Sequence, residues 1–277
     1  MSRALVVGAG IVAGPLWAAG VIHGLRQYGT DLGDADLIVG TSVGSFIAAF
    51  TAFGGDLSRP VHEIGLAREK LPMPEIAAEQ FTRIFDVLSD GELPAAERRR
   101  RLGREALDAD TVAAAPQLDA ALARVPAAGW PDRPLLVPAA RIDDGERVVW
   151  RRGTVPLPDA LRAGTAMPTI FPPAEIDGRF YMDGVTCSTT NADLAAGHDR
   201  VVVFAPLRHL LPARVLDGEL AALDPDRTTV IGPDAETVKM FELNLFDPRM
   251  GIGWAAFLEG VRQAPRHADQ VAALWNA

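Results

Sequence analysis

The sequence of 277 residues holds one cysteine, Cys187, five histidines, two tyrosines and two lysines, Lys70 and Lys239. A lone thiol excludes an internal disulfide, and no second cysteine stands at metal-ligand spacing. His23, His62, His198, His209 and His267 are scattered singly, with no HxH or HxxxH arrangement, so neither a structural nor a catalytic zinc is expected. Cationic charge is scarce: 27 Lys and Arg against 36 Asp and Glu leave a formal charge of −9. That balance disfavours nucleic acid as an electrostatic partner. Internal repeats and low-complexity tracts are also missing. With 48% hydrophobic and 23% charged residues, the chain reads as an ordinary folded protein with a sizeable core.

Charge is missing altogether between Arg3 and Arg26. Such a run raises the question of a signal peptide or a membrane span. Gly8, Gly10, Gly14, Pro15 and Gly20 interrupt it, whereas a span needs about 20 predominantly apolar residues. A buried strand, a glycine turn and a buried helix account for it better, and a cytoplasmic location is expected.

Short β-branched runs stopped by glycine or turn residues mark strands at 3–7, 36–40, 134–140, 146–150, 179–182, 200–207 and 228–232. Helical patterns fill 15–29, 42–53, 57–125 and 234–277. Strand and helix alternate, so the expected fold is a three-layer α/β/α sandwich on a mostly parallel sheet. One domain over 1–277 is expected, with a helical cap or flank at about 57–125 and terminal helices at about 234–277.

"GTSVG" (40–44) places Ser42 between Gly40 and Gly44. Six serines and 26 glycines give about 0.05 chance matches to GxSxG, so the pattern is suggestive but not decisive. It lies where a strand passes into a helix, the setting of a nucleophile elbow. The plainer reading makes Ser42 a helix N-cap. Upstream, "GAGIVAG" (8–14) also follows a strand and opens a helix. As Gly8-x-Gly10-x-x-Ala13 it invites a dinucleotide-binding reading, but that site needs an acidic residue at the far end of the second strand. Asp31, Asp34 and Asp36 all precede that strand. For a hydrolase the same turn has another use: if strands 3–7 and 36–40 are neighbours, the N–H groups of Gly10 and Ile11, with that of Val43, can face an oxyanion.

Five aspartates precede glycine: Asp90, Asp144, Asp177, Asp183 and Asp217. Asp177-Gly178 sits between "AEI" and "RFYM" as a two-residue hairpin turn. Asp183-Gly184 instead ends a strand and enters the polar loop "VTCSTTNADL", in which Asn191 reads as a helix cap. A carboxylate there is a candidate base.

The glycine turn after the first strand, GTSVG after the second, and "FPPAEIDGRFYMDGVTCSTTNADLAAG" (171–197) together resemble the patatin-like phospholipase family, over residues 3 to about 207. The resemblance implies hydrolysis of lipid or phospholipid acyl esters by a dyad of Ser42 and Asp183 through an acyl-enzyme, with Gly8, Gly14, Gly40, Gly44 and Gly184 as motif glycines. It implies no cofactor and no metal, and allows transient contact with a membrane surface. The sequence departs from the family at Ile11, where glycine is common, at Ala13, where Arg or Lys is usual, and at Val185, where a small residue follows Asp-Gly. The alternatives are a dinucleotide-binding oxidoreductase and a catalytically silent lipid-binding relative.

Two further stretches have plain readings. Arg98 to Arg101 reads as a solvated helix face in preference to a lipid-phosphate contact. Phe81, Ile84, Phe85 and Leu88, at helical spacing, read as core packing before acyl-channel lining.

Overall fold

The structure, a computed structural model, describes residues 1–69, 71, 78–89, 92–127, 129–246 and 252–276. Strand β1 (Arg3–Val7) leads into helix α1 (Ala13–Gln27), and β2 (Leu37–Gly40) into α2 (Gly44–Phe53). Four helices follow: α3 (Ser58–Glu69), α4 (Ala78–Ser89), α5 (Ala95–Asp108) and α6 (Ala115–Leu122). Next come β3 (Leu135–Arg141), β4 (Arg147–Trp150), α7 (Leu157–Thr165), β5 (Ala174–Ile176), β6 (Arg179–Asp183) and β7 (Arg200–Phe204). The chain continues through α8 (Ala213–Leu220), β8 (Thr228–Ile231), α9 (Ala235–Phe246), α10 (Gly253–Gln263) and α11 (Pro265–Trp275).

The sheet runs β5-β6-β3-β2-β1-β7-β8, with β4 paired to β3. Strands β3, β2, β1, β7 and β8 are parallel, whereas β4 and β6 run antiparallel to β3. The mostly parallel sheet is as the alternation of elements implies, and the antiparallel strands gather at one side.

Side-chain alternation assigns the faces. Leu5, Val7 and Ile38 join the larger core with residues of α1, α2, α7, α10 and α11. Ala4, Val6, Leu37 and Val39 point the other way, into a smaller cluster with Ala192, Ala195 and the partly buried Leu220 of α8. The three layers are therefore unequal. One face carries most of the helices, and the other is covered by a single turn of 3₁₀ helix (192–195) and α8.

The charge-free N-terminal run is buried inside this larger core. Twelve residues of α1 are buried, and α10 packs against it at backbone contact. A Cβ on Gly20 would lie 2.0 Å from the Phe257 carbonyl oxygen, and one on Gly260 would lie 2.1 Å from that of Trp17. Trp17 donates its indole N–H to Gln263 at 2.8 Å. Apolar composition here serves helix packing. Among the described residues no helix is long and apolar enough to cross a membrane.

Candidate active site

Parallel pairing of β1 with β2 brings Val7 opposite Gly40, so the turns that follow both strands emerge side by side at the C-terminal ends of these central strands. After Gly40, Thr41 donates its N–H to the Val7 carbonyl at 3.0 Å. Ser42 then takes φ +55°, a left-handed conformation that costs a non-glycine residue energy and marks functional turns. Helix α2 begins only at Gly44, with Val43 as its N-cap residue. Ser42 is thus neither the first helical residue nor the cap; it sits on the turn, ahead of the helix N-terminus and its partial positive charge. The glycines on each side allow this. A Cβ on Gly40 would meet the Ser45 Cα at 2.4 Å, and one on Gly44 would meet the carbonyl oxygens of Val7 and Gly8 at 2.5 Å.

Asp183 arrives from the opposite direction. It ends β6, pairs with Ala139 of β3, and donates its N–H to the Ala166 carbonyl at 2.9 Å. Gly184 can follow because a Cβ there would lie 2.3 Å from the Pro138 carbonyl oxygen. Ser42 Oγ donates to Asp183 Oδ2 at 2.6 Å, and Val185 N–H donates to Oδ1 at 2.8 Å. Both side chains are deep: Ser42 is 1% exposed and Asp183 0%. Burial pushes the Asp183 carboxyl up to about 7, outweighing the two hydrogen bonds that favour the anion. A carboxylate of near-neutral pKa bonded to a hydroxyl is suited to taking its proton.

The glycine turn lies beside them. Gly8 N–H bonds the Phe204 carbonyl at 2.9 Å and Ala9 N–H that of Thr189 at 2.8 Å. Gly10 and Gly14 sit in contact with Pro206, where a Cβ on either would come within 2.8 Å. The N–H groups of Gly10, Ile11 and Val43 make no backbone hydrogen bond among the described residues. Ile11 has φ +58°, so the position at which the family commonly has glycine does require a left-handed backbone. Val185, the other bulky departure, turns its side chain into an apolar cluster with Ala9, Ile84 and Leu207. Ala13 is buried at the start of α1.

Several sequence readings change or divide. Asn191 does not cap the following turn: its φ is +50° and its side chain makes no cap bond. Instead its Nδ2 donates to Thr41 Oγ1 at 3.1 Å and to the Ser188 carbonyl at 3.0 Å, while Oδ1 accepts from Arg147. It therefore braces the serine turn against the loop after Asp183. Sequence reasoning missed this because an Asn before a short helix carries the signature of a cap. Ile84 and the partly buried Phe85 of α4 pack on Ala9, Val185 and Leu207, over the two turns, and Leu88 borders a separate cavity; the Phe81 side chain lies outside the described residues. Asp177 and Gly178 have φ +51° and +70°, the left-handed pair of a hairpin turn between β5 and β6.

Among the described residues no histidine bonds to Ser42 or Asp183. His209, lining a small cavity with Gly10 and Ile11, is the one beside the turn. Asp31, Asp34 and Asp36 are occupied at the near end of β2, with Gly33 N–H, Arg133 and Arg3 N–H respectively, which leaves the dinucleotide reading without its ribose-binding carboxylate.

A strand-turn-helix serine, a buried aspartate and a glycine turn gathered at the ends of the central strands of a mostly parallel sheet define an α/β protein of hydrolase-like plan. The family described as patatin-like phospholipase matches residues 5–196. The chain belongs to that family. Among solved structures it is similar to VipD from Legionella pneumophila, with 12% identity and a TM-score of 0.46 over 97% of this chain and 66% of that one. It is also similar to the type III effector protein ExoU, with 12% identity and a TM-score of 0.33 over 95% of this chain and 53% of that one. The chain thus spans about two thirds and about half the length of these two proteins.

Proposed function

We propose that the protein is a serine acyl hydrolase that cleaves lipid or phospholipid acyl esters without metal or cofactor. Ser42 Oγ attacks the ester carbonyl carbon as its proton passes to Asp183 Oδ2. The carbonyl oxygen becomes an oxyanion facing the N–H groups of Gly10, Ile11 and Val43. The C–O bond to the leaving alcohol then breaks, Asp183 returns the proton to the departing oxygen, and an acyl-Ser42 ester remains. Water repeats the sequence: Asp183 takes its proton, the acyl group leaves as the carboxylic acid, and Ser42 recovers its hydrogen. A cytoplasmic location and transient contact with a membrane surface belong to the same proposal.

The observation that supports this reading most is the 2.6 Å hydrogen bond between a strained, buried serine and a buried aspartate of raised pKa. Family membership agrees with it. A fluorophosphonate probe tests it. The probe should label Ser42 in the parent protein, and Ser42→Ala should lose both labelling and hydrolysis of a chromogenic acyl ester. Asp183→Asn should fall by about 10²-fold or more, the usual worth of a general base, whereas His209→Gln should keep most activity. Labelling elsewhere, or a folded His209→Gln variant as inactive as Ser42→Ala, would sink the dyad.

A further inference from the structure

A cavity of about 500 Å³, lined by neither Ser42 nor Asp183, opens between the end of α4, the start of α5, β4, the 186–188 turn and α8. Among the described residues its charged walls are Arg98, Arg99, Arg147 and Arg214 against Asp193 and Glu219, in a chain of net charge −9. Both anions are engaged. Asp193 gives its two oxygens to Arg147 at 2.8 and 2.6 Å. Glu219 accepts from the N–H and hydroxyl groups of Thr189 and Thr190.

Arg98 and Arg99 are held differently. Both are half-buried, and among the described residues neither has a carboxylate at ion-pair distance. Arg98 donates through Nε and Nη1 to the carbonyls of Val87 and Leu93, and Arg99 through Nε to that of Gly145. Those bonds fix the side chains while leaving Nη2 of Arg98 and both Nη groups of Arg99 without a protein acceptor among the described residues. Arg100 and Arg101, by contrast, pair with Glu97. The four-arginine run is therefore divided: two members form the solvated face that the sequence suggests, and two wall the cavity.

A guanidinium partly withdrawn from water without a counter-charge is unfavourable until an anion joins it. Its planar fork fits phosphate oxygens in pairs. The two positive charges of Arg98 and Arg99, without a carboxylate at ion-pair distance among the described residues, match a dianion, and three open Nη groups exceed what the two oxygens of one carboxylate take in a single fork. We propose that this cavity binds a phosphomonoester group, with the Nη donors of Arg98 and Arg99 as its ligands and the exposed Arg214 at the rim. The site is separate from the hydrolase reading, and each can fail without the other.

Two binding measurements on the full chain at matched ionic strength distinguish the sources of such a group. One is calorimetric titration with inorganic phosphate. The other is co-sedimentation with phosphatidylcholine vesicles carrying phosphatidylinositol 4-phosphate. Saturable binding in the first arm alone supports a soluble ligand, and in the vesicle arm alone a lipid headgroup. In either arm Arg98→Gln and Arg99→Gln should weaken binding about tenfold, the usual worth of a charge-assisted hydrogen bond. Arg214→Gln, on the surface, should weaken it less, and it keeps the test open if the other two fail to fold. Arg100→Gln should leave binding unchanged. No saturable binding in either arm overturns the proposal. So does binding that none of the three cavity variants alters, or that Arg100→Gln weakens as much as they do.

Discussion

At the scale of single residues, Asp183 carries the clearest consequence. Its folded pKa is raised by burial from 3.8 to about 7, so the folded protein holds a proton that the unfolded chain releases between those values. Stability therefore falls as pH rises from about 4 to 7, with the full penalty present above 7. Three pKa units set an upper bound of about 4 kcal/mol on that penalty. Asp183→Asn, though less active by about 10²-fold or more, should consequently be more stable than the parent at pH 8, with the difference shrinking to nothing near pH 4. Denaturant melts at the two pH values check this, and an Asn variant less stable at pH 8 would contradict it. In the parent, kcat/KM should drop about tenfold per pH unit below about 7 as the base is protonated. Ile11 is the second strained residue of interest, a β-branched side chain at φ +58°. Strain of this kind costs on the order of 1–3 kcal/mol, and glycine gives back part of that gain through backbone entropy. Ile11→Gly should therefore raise stability by about 1 kcal/mol while keeping the N–H in the turn. A lower melting temperature would show that Ile11 packing outweighs the strain.

At the scale of elements, the site is a junction of close backbone approaches. Helix α2 crosses the end of β1 so tightly that a Cβ on Gly44 would lie 2.5 Å from two carbonyl oxygens. Neither oxygen belongs to a flexible side chain, so the helix itself would have to move. Gly44→Ala should destabilise by about 2 kcal/mol despite alanine's better helix propensity, because overpacking of this kind costs about 1–3 kcal/mol. Equilibrium unfolding measures the loss, and an unchanged midpoint would mean that the turn yields more easily than its contacts imply. The glycine turn behaves alike: a Cβ on Gly10 would meet Gly14, Pro15 and Pro206 at 2.8 Å each. Substituting it would disturb packing together with the N–H.

At the scale of the molecule, the stretch matched to the family ends at residue 196, but the N-terminal helix depends on residues beyond it. Trp17 is fully buried, bonded to Gln263 of α10 and set edge-on against Phe204 and Phe241. We propose on this basis that residues 1–277 fold as one domain. A chain cut after residue 246 would expose the apolar face of α1 that α10 covers. It should bind a hydrophobic dye and lose cooperative unfolding. A truncated protein that melts as sharply as the full chain would show that α10 and α11 are an appendage.

Much of this was legible in the sequence for local reasons. Strand spans such as 3–7 and 147–150 follow from β-branched runs between turn residues, and the Asp177-Gly178 hairpin from residues that tolerate positive φ. Ser42 and Asp183 are legible as candidates because GxSxG and Asp-Gly stand at strand ends, and it is the family resemblance that joins them as a pair. What the chain alone does not contain is distance. The sequence separation of 141 between Ser42 and Asp183 is closed through the pairing of β2 with β3 and of β3 with β6. Asn191 reads locally as a cap, and only the fold turns its amide toward Thr41. Arg98 to Arg101 read as one charged face, and only the packing of α5 divides them between solvent and a cavity. Local propensity and pattern are properties of neighbours in sequence. Proton affinity, hydrogen-bond partners and burial are properties of neighbours in space, and those the tertiary structure alone decides.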